Sequence, residues 1–126
     1  MSSLLCGIDH VQLAAPPGCE EEARRFFGGL LGLSELTKPE ALRARGGVWF
    51  ACGAQQLHVG VEPGMAPQRK AHPGFRAAGG DELDALAARL AAAGLAVEWD
   101  GAIPGVRRFY AADPWGNRLE FLVDEG

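Results

Sequence analysis

The chain has 126 residues, 48% of them hydrophobic and 22% charged, with a formal net charge of −4. That is one compact domain by size, large enough for a real core. The acidic balance excludes a general polyanion binder, so no nucleic-acid partner is expected, and no apolar run approaches the ~20 residues needed to span a bilayer.

Residues 7–14 read as a strand, with Ile8, His10 and Gln12 on one face and Asp9, Val11 and Leu13 on the other. Pro16, Pro17 and Gly18 break it. Residues 20–31 read as a helix: three glutamates fill the first turn, where the macrodipole favours negative charge, and Ala23, Phe26, Phe27, Leu30 and Leu31 form an apolar stripe. Gly32 is placed to stop it. Strands are predicted at 33–37, 47–52 and 56–61.

A polar segment with prolines follows and reads as a linker. The order then repeats. Residues 72–78 are a strand weakened by Pro73 and Gly74, and Asp81 is placed to cap a helix running through residue 93. Leu83, Leu86, Ala87 and Leu90 are its buried stripe. Strands follow at 95–99, 108–112 and 118–123, with a turn from Asp113 to Asn117 that Asn117 is expected to shape, since Asn tolerates left-handed backbone.

Each half therefore reads β-α-β-β-β, and several positions of the two halves match at an ungapped offset of 62. Gly18 meets Gly80, Glu20 meets Glu82, Gly32 meets Gly94 and Leu57 meets Leu119. All three histidines of the chain fall into this pattern: His10 maps onto His72, and His58 onto Glu120. A repeat that returns metal-ligand residue types at matching places suggests one site built from two half-modules. The expected organisation is a single domain: module one about 4–62, a linker about 63–71 and module two about 72–126. Cys6, Cys19 and Cys52 are an odd number without CxxC spacing, and the opening residues lack the basic region of a secretion signal. Free thiols in a reducing cytoplasm are expected.

Three segments carry a family resemblance: Gly-Ile-Asp-His-Val-Gln-Leu at 7–13, Ala-Arg-Arg-Phe-Phe-Gly-Gly-Leu-Leu-Gly-Leu at 23–33, and Asp-Pro-Trp-Gly-Asn-Arg-Leu-Glu-Phe at 113–121. On these the chain resembles the vicinal oxygen chelate superfamily, also called the glyoxalase/bleomycin resistance/dioxygenase superfamily. The resemblance implies an α+β fold, two tandem βαβββ modules forming a curved cup-like mixed sheet with helices outside. It also implies a divalent metal (Ni, Zn, Mn, Co or Fe) held by His10, His58, His72 and Glu120. At the position of His58, glyoxalase I-like lyases usually carry Glu or Gln. A histidine there keeps a ligand and removes a carboxylate base.

A site of this kind suits a lyase or isomerase acting on a small oxygenated or thiol-conjugated substrate, by metal chelation and enediolate stabilisation. Glu120 is the first candidate base and His58 the second. Trp49, Arg108 and Tyr110 are candidate substrate contacts. If His58 does not bind, His10, His72 and Glu120 make the two-histidine, one-carboxylate pattern of oxygen-activating Fe(II), as in ring-cleaving dioxygenases. The other alternative is a metal-free drug-sequestering protein of the bleomycin-resistance kind. A homodimer is expected, because exposed module edges are commonly paired in this fold.

Overall fold

A computed structural model describes residues 3–125. The chain divides at Met65 and Ala66 into two compact units, and each holds one four-stranded mixed sheet.

In the first unit the elements run β1 (His10–Ala15), α1 (Glu20–Ala23), β2 (Ser34–Leu36), α2 (Glu40–Arg43), β3 (Val48–Cys52) and β4 (Gln55–Val61). The sheet order is β1-β4-β3-β2. β1 and β4 are parallel, and the other two pairings are antiparallel. The expected single α-helix at 20–31 is instead one α turn that widens into a π-helical stretch, Arg24–Leu30. The Leu31 N–H reaches back five residues to the Phe26 carbonyl, 3.0 Å away. Phe26 and Phe27 are both buried there, as the apolar stripe leads one to expect. Phe27 meets Phe50 of β3 with ring centroids 5.8 Å apart. Leu13, Ala15, Leu57, Val59 and Val48 complete this core. Each fully buried large side chain contributes roughly 1.5–3 kcal/mol. The short α2 has no counterpart in the sequence-based elements.

The second unit runs β5 (Gly74–Arg76), α3 (Gly80–Ala92), β6 (Glu98–Asp100), β7 (Val106–Ala112) and β8 (Arg118–Asp124). Its sheet order, β5-β8-β7-β6, repeats that of the first unit strand for strand. β5 is shorter than the 72–78 expected, because Pro73 has no N–H to give to the ladder. Gly79, not Asp81, is the N-cap of α3, so Asp81 sits in the first turn as a charge on the macrodipole. Leu83, Ala87 and Leu90 are buried as expected, and Leu86 is half-buried at the margin. α3 packs on β8, and Phe109 and Phe121 stack at 5.1 Å within the core.

Period-two alternation gives each sheet an apolar face toward its helix and a polar face away from it. The pairings put His10, Gln12, Trp49, Gln56 and His58 on the polar face of the first sheet. They put Arg108, Tyr110, Arg118 and Glu120 on that of the second.

Candidate functional site

The four residues expected to hold a metal fall into two pairs, one in each unit. Among the described residues, no three His, Cys, Asp or Glu side chains gather at metal-binding distance.

The pair in the second unit is His72 and Glu120. His72 lies just ahead of β5, and a buried turn holds it there. Asn117 is 1% exposed. Its Nδ2 donates to Asp113 Oδ2 at 2.8 Å, and its Oδ1 accepts the Gln68 N–H at 3.0 Å. The Arg118 N–H in turn donates to the Gln68 carbonyl. Asn117 thus shapes the turn through its side chain. Among the described residues no non-glycine residue has positive φ, and the left-handed position of this turn belongs to Gly116, at φ 89.

His72 Nδ1 is 2.9 Å from the Lys70 carbonyl oxygen. A carbonyl only accepts, so Nδ1 carries the proton and Nε2 is left with its lone pair. Nε2 faces Glu120 Oε1 at 2.9 Å, with both side chains mostly buried. Two lone pairs that close need a cation between them, either a second proton or a metal ion. A 2.9 Å edge is about what two adjacent ligands span when each lies ~2.0–2.2 Å from one octahedral ion. The donor set therefore fits a divalent metal.

The pair in the first unit is arranged differently. His10 Nδ1 is 2.9 Å from Asp9 Oδ2, which leaves Nε2 free in the carboxylate–histidine arrangement usual for metal ligands. His58 is buried, at 4% exposure, between two rings. Trp49 stacks on it at 3.8 Å and 2°, and His10 stacks on its other side at 4.2 Å and 16°. Its Nε2 is 2.9 Å from Gln56 Oε1. Burial pushes the His58 imidazole below its ordinary pKa, and the neighbouring His10 adds to the effect. A ring-nitrogen lone pair lies in the ring plane. Two planes within 16° of parallel and a ring's thickness apart do not meet at one nearby ion. In this arrangement His10 and His58 do not converge on a shared metal.

Of the expected substrate contacts, Trp49 spends one face on His58. Tyr110 is buried, edge-on to His72 at 5.6 Å. Arg108 lies beside Glu120, with Nη1 to Oε2 at 3.4 Å. Sequence reasoning missed Arg118, whose guanidinium lies 3.8 Å over the Tyr110 ring. Its signal was available, since it stands two residues before Glu120 on the same strand face. It also missed Gln56 and Asp9, which orient the first-unit histidines.

Two mixed sheets of order 1-4-3-2, each with its helix on one face and ligand-type residues on the other, define a paired βαβββ protein with the glyoxalase fold. The profile described as Glyoxalase/Bleomycin resistance protein/Dioxygenase superfamily matches residues 7–121, and the chain belongs to that superfamily. It is similar to a structure described as a glyoxalase family protein from Bacillus anthracis, with 48% identity, TM-score 0.92, and 98% of this chain and 99% of that one covered. A lactoylglutathione lyase from Agrobacterium tumefaciens shares the fold at 23% identity and TM-score 0.76, over 98% of this chain and 97% of that one. A fosfomycin resistance protein from Listeria monocytogenes does so at 15% identity and TM-score 0.76, over 95% and 94%. No curated protein matches the chain. Among the described residues, no helix is long and apolar enough to cross a membrane.

Proposed function

We propose that this chain is a divalent-metal-dependent enzyme of the glyoxalase type, a lyase or isomerase acting on a small oxygenated or thiol-conjugated substrate in the cytoplasm. The observation that carries this reading is His72, whose Nδ1 is committed to a carbonyl while Nε2 faces a carboxylate oxygen 2.9 Å away. In this reading His72 and Glu120 hold the ion together with His10, which comes from the same chain or from a second copy in a homodimer. Ni, Zn, Mn, Co or Fe, when bound, would supply Lewis-acid stabilisation of charge on two neighbouring substrate oxygens.

The protein side chains then divide the remaining tasks. Glu120 becomes the carboxylate base on leaving the ion when substrate binds, and Arg108 lies beside its Oε2. Arg108 and Tyr110 contact the substrate. Trp49 and His58 were both candidates for direct roles, as substrate contact and as base or fourth ligand. Their stacking suits them better to holding the His10 ring in place.

That same stacking favours a second reading. With His58 set aside, His10, His72 and Glu120 form the facial set of oxygen-activating Fe(II) enzymes. Elemental mass spectrometry on tag-free protein tests the shared premise, with a His10→Ala/Glu120→Ala double variant alongside. Near-stoichiometric divalent metal in the parent and none in the variant is expected. A parent that takes up no ion, even after incubation with each, would sink both readings. Oxygen consumption by the iron-loaded chain with a diol separates the second from the first.

A further inference from the structure

Arg108, Tyr110 and Arg118 form a cluster beside the His72–Glu120 pair, all within the second unit. Tyr110 lies directly across from Glu120 on the neighbouring strand, and Arg118 across from Ala112. Side chains 108, 110, 118 and 120 therefore share one sheet face. The Tyr110 ring has two cations against it: the Arg118 guanidinium carbon is 3.8 Å from its centroid and that of Arg108 is 5.4 Å away.

Neither guanidinium is well satisfied by the protein. Among the described residues Arg118 makes no close ion pair; it lies over the ring, and the Asp100 carboxylate acts on it only at longer range. The Arg108 side chain is 15% exposed, and its acidic neighbours, Glu120 Oε2 and Asp100 Oδ1, stand 3.4 and 3.5 Å away. Good charge-assisted bonds run to about 2.7–2.9 Å. Arg108 Nε is buried with no hydrogen-bond partner. A buried donor left unmade is costly, and the guanidinium fork matches the geometry of a planar or tetrahedral oxyanion.

We propose that Arg108 and Arg118 form a subsite for an oxyanion, a carboxylate or phosphonate, carried by the substrate of the centre proposed above. This rests on that reading and narrows it. The substrate is a small anion whose charged group is bound next to Glu120, and neutral dicarbonyl compounds lack the group this subsite takes. Tyr110 serves as the flat platform that holds Arg118 in line.

The test titrates the full-length chain, without added metal, with methylphosphonate and in a second arm with acetate. Binding is followed by backbone amide chemical shifts. Binding centred on β7 and β8 is expected, weakened about tenfold or more in Arg118→Gln. Arg118→Lys and Arg108→Lys keep the charge and remove the fork, so they guard against loss of fold and should also bind more weakly. Arg107→Gln is the control, because Arg107 points to the opposite face and pairs with Asp84 and Glu125. It should bind like the parent. The stronger of the two anions identifies the substrate's group. Absence of binding by either anion, or an equal loss in Arg107→Gln, overturns the subsite. Anion binding by a chain that takes up no metal leaves the subsite standing and removes the metal reading. Metal uptake without anion binding does the reverse.

Discussion

Asp113 is 4% exposed, yet it carries a carboxylate. Oδ1 accepts from the Trp115 N–H at 3.0 Å and the Asn117 N–H at 2.8 Å, and Oδ2 accepts from Asn117 Nδ2 at 2.8 Å. Burial raises its pKa in spite of these bonds, so desolvation outweighs what the donors return. The donors still depend on it. Asp113→Ala leaves them buried and unmade, and should cost about 2–3 kcal/mol of unfolding free energy. Because Asn117 anchors the Gln68 segment ahead of His72, the same variant should also weaken metal uptake. A chemical denaturation midpoint equal to that of the parent would show the turn to be ornamental. The turn itself was legible as five residues of turn chemistry. The bond that ties it to the segment ahead of His72 was not, because Gln68 and Asn117 stand 49 residues apart in the chain.

At the scale of elements, periodicity carried most of the information. All eight strands and both main helical stretches lie where alternation and apolar stripes place them, within a few residues at the ends. What failed to show was backbone winding. Nothing in the stripe from Ala23 to Leu31 tells a π turn from an α turn, since both put the same residue types against the sheet. The duplication also drifts: Trp49 opposes His58 while Tyr110 opposes Glu120, an offset of 61 on one strand beside 62 on its neighbour. The second hairpin has the longer turn, and an ungapped comparison therefore misses the equivalence of Trp49 and Tyr110. Gly47 shows how tightly the first sheet is closed. It has φ +87, and a Cβ there would lie 2.2 Å from the Val59 carbonyl oxygen. Its N–H donates to Glu20 Oε2 at 2.7 Å, tying the start of β3 to α1. Gly47→Ala must move the β4 backbone and should cost about 3 kcal/mol or more. Gly29→Ala meets only the Arg24 carbonyl at 4.0 Å and should be near neutral. Equal melting temperatures for the two variants would refute this account of Gly47.

For the whole molecule, the stability curve with pH follows from His58. Its pKa is depressed from the ordinary 6.5 by burial first and by His10 second. A depressed pKa means that the unfolded chain takes up this proton more readily than the folded one. The His58 contribution is therefore complete above about pH 6.5, and it is lost as pH falls from there through the folded value. Thermal melts of the parent should decline on that limb, and His58→Gln should flatten it. A parent curve that stays level from neutral pH into that acid range would contradict the burial argument. At this scale the spacing nominated residues without saying what each does. The offset of 62 singled out His10, His58, His72 and Glu120. It was silent on the stack that turns His58 away from a shared ion, because stacking depends on ring planes and not on spacing.

That stack has an optical consequence. An excited indole in face contact with an imidazole gives up its energy readily once the imidazole is protonated, because the cation is a good electron acceptor. Trp49 lies 3.8 Å from His58 and almost parallel to it, and His10 leans on the far side of the same ring. The difference in emission between the parent and Trp49→Phe is thus a built-in gauge of His58 protonation. It is also a gauge of any reorientation of His10, readable in dilute solution without a label.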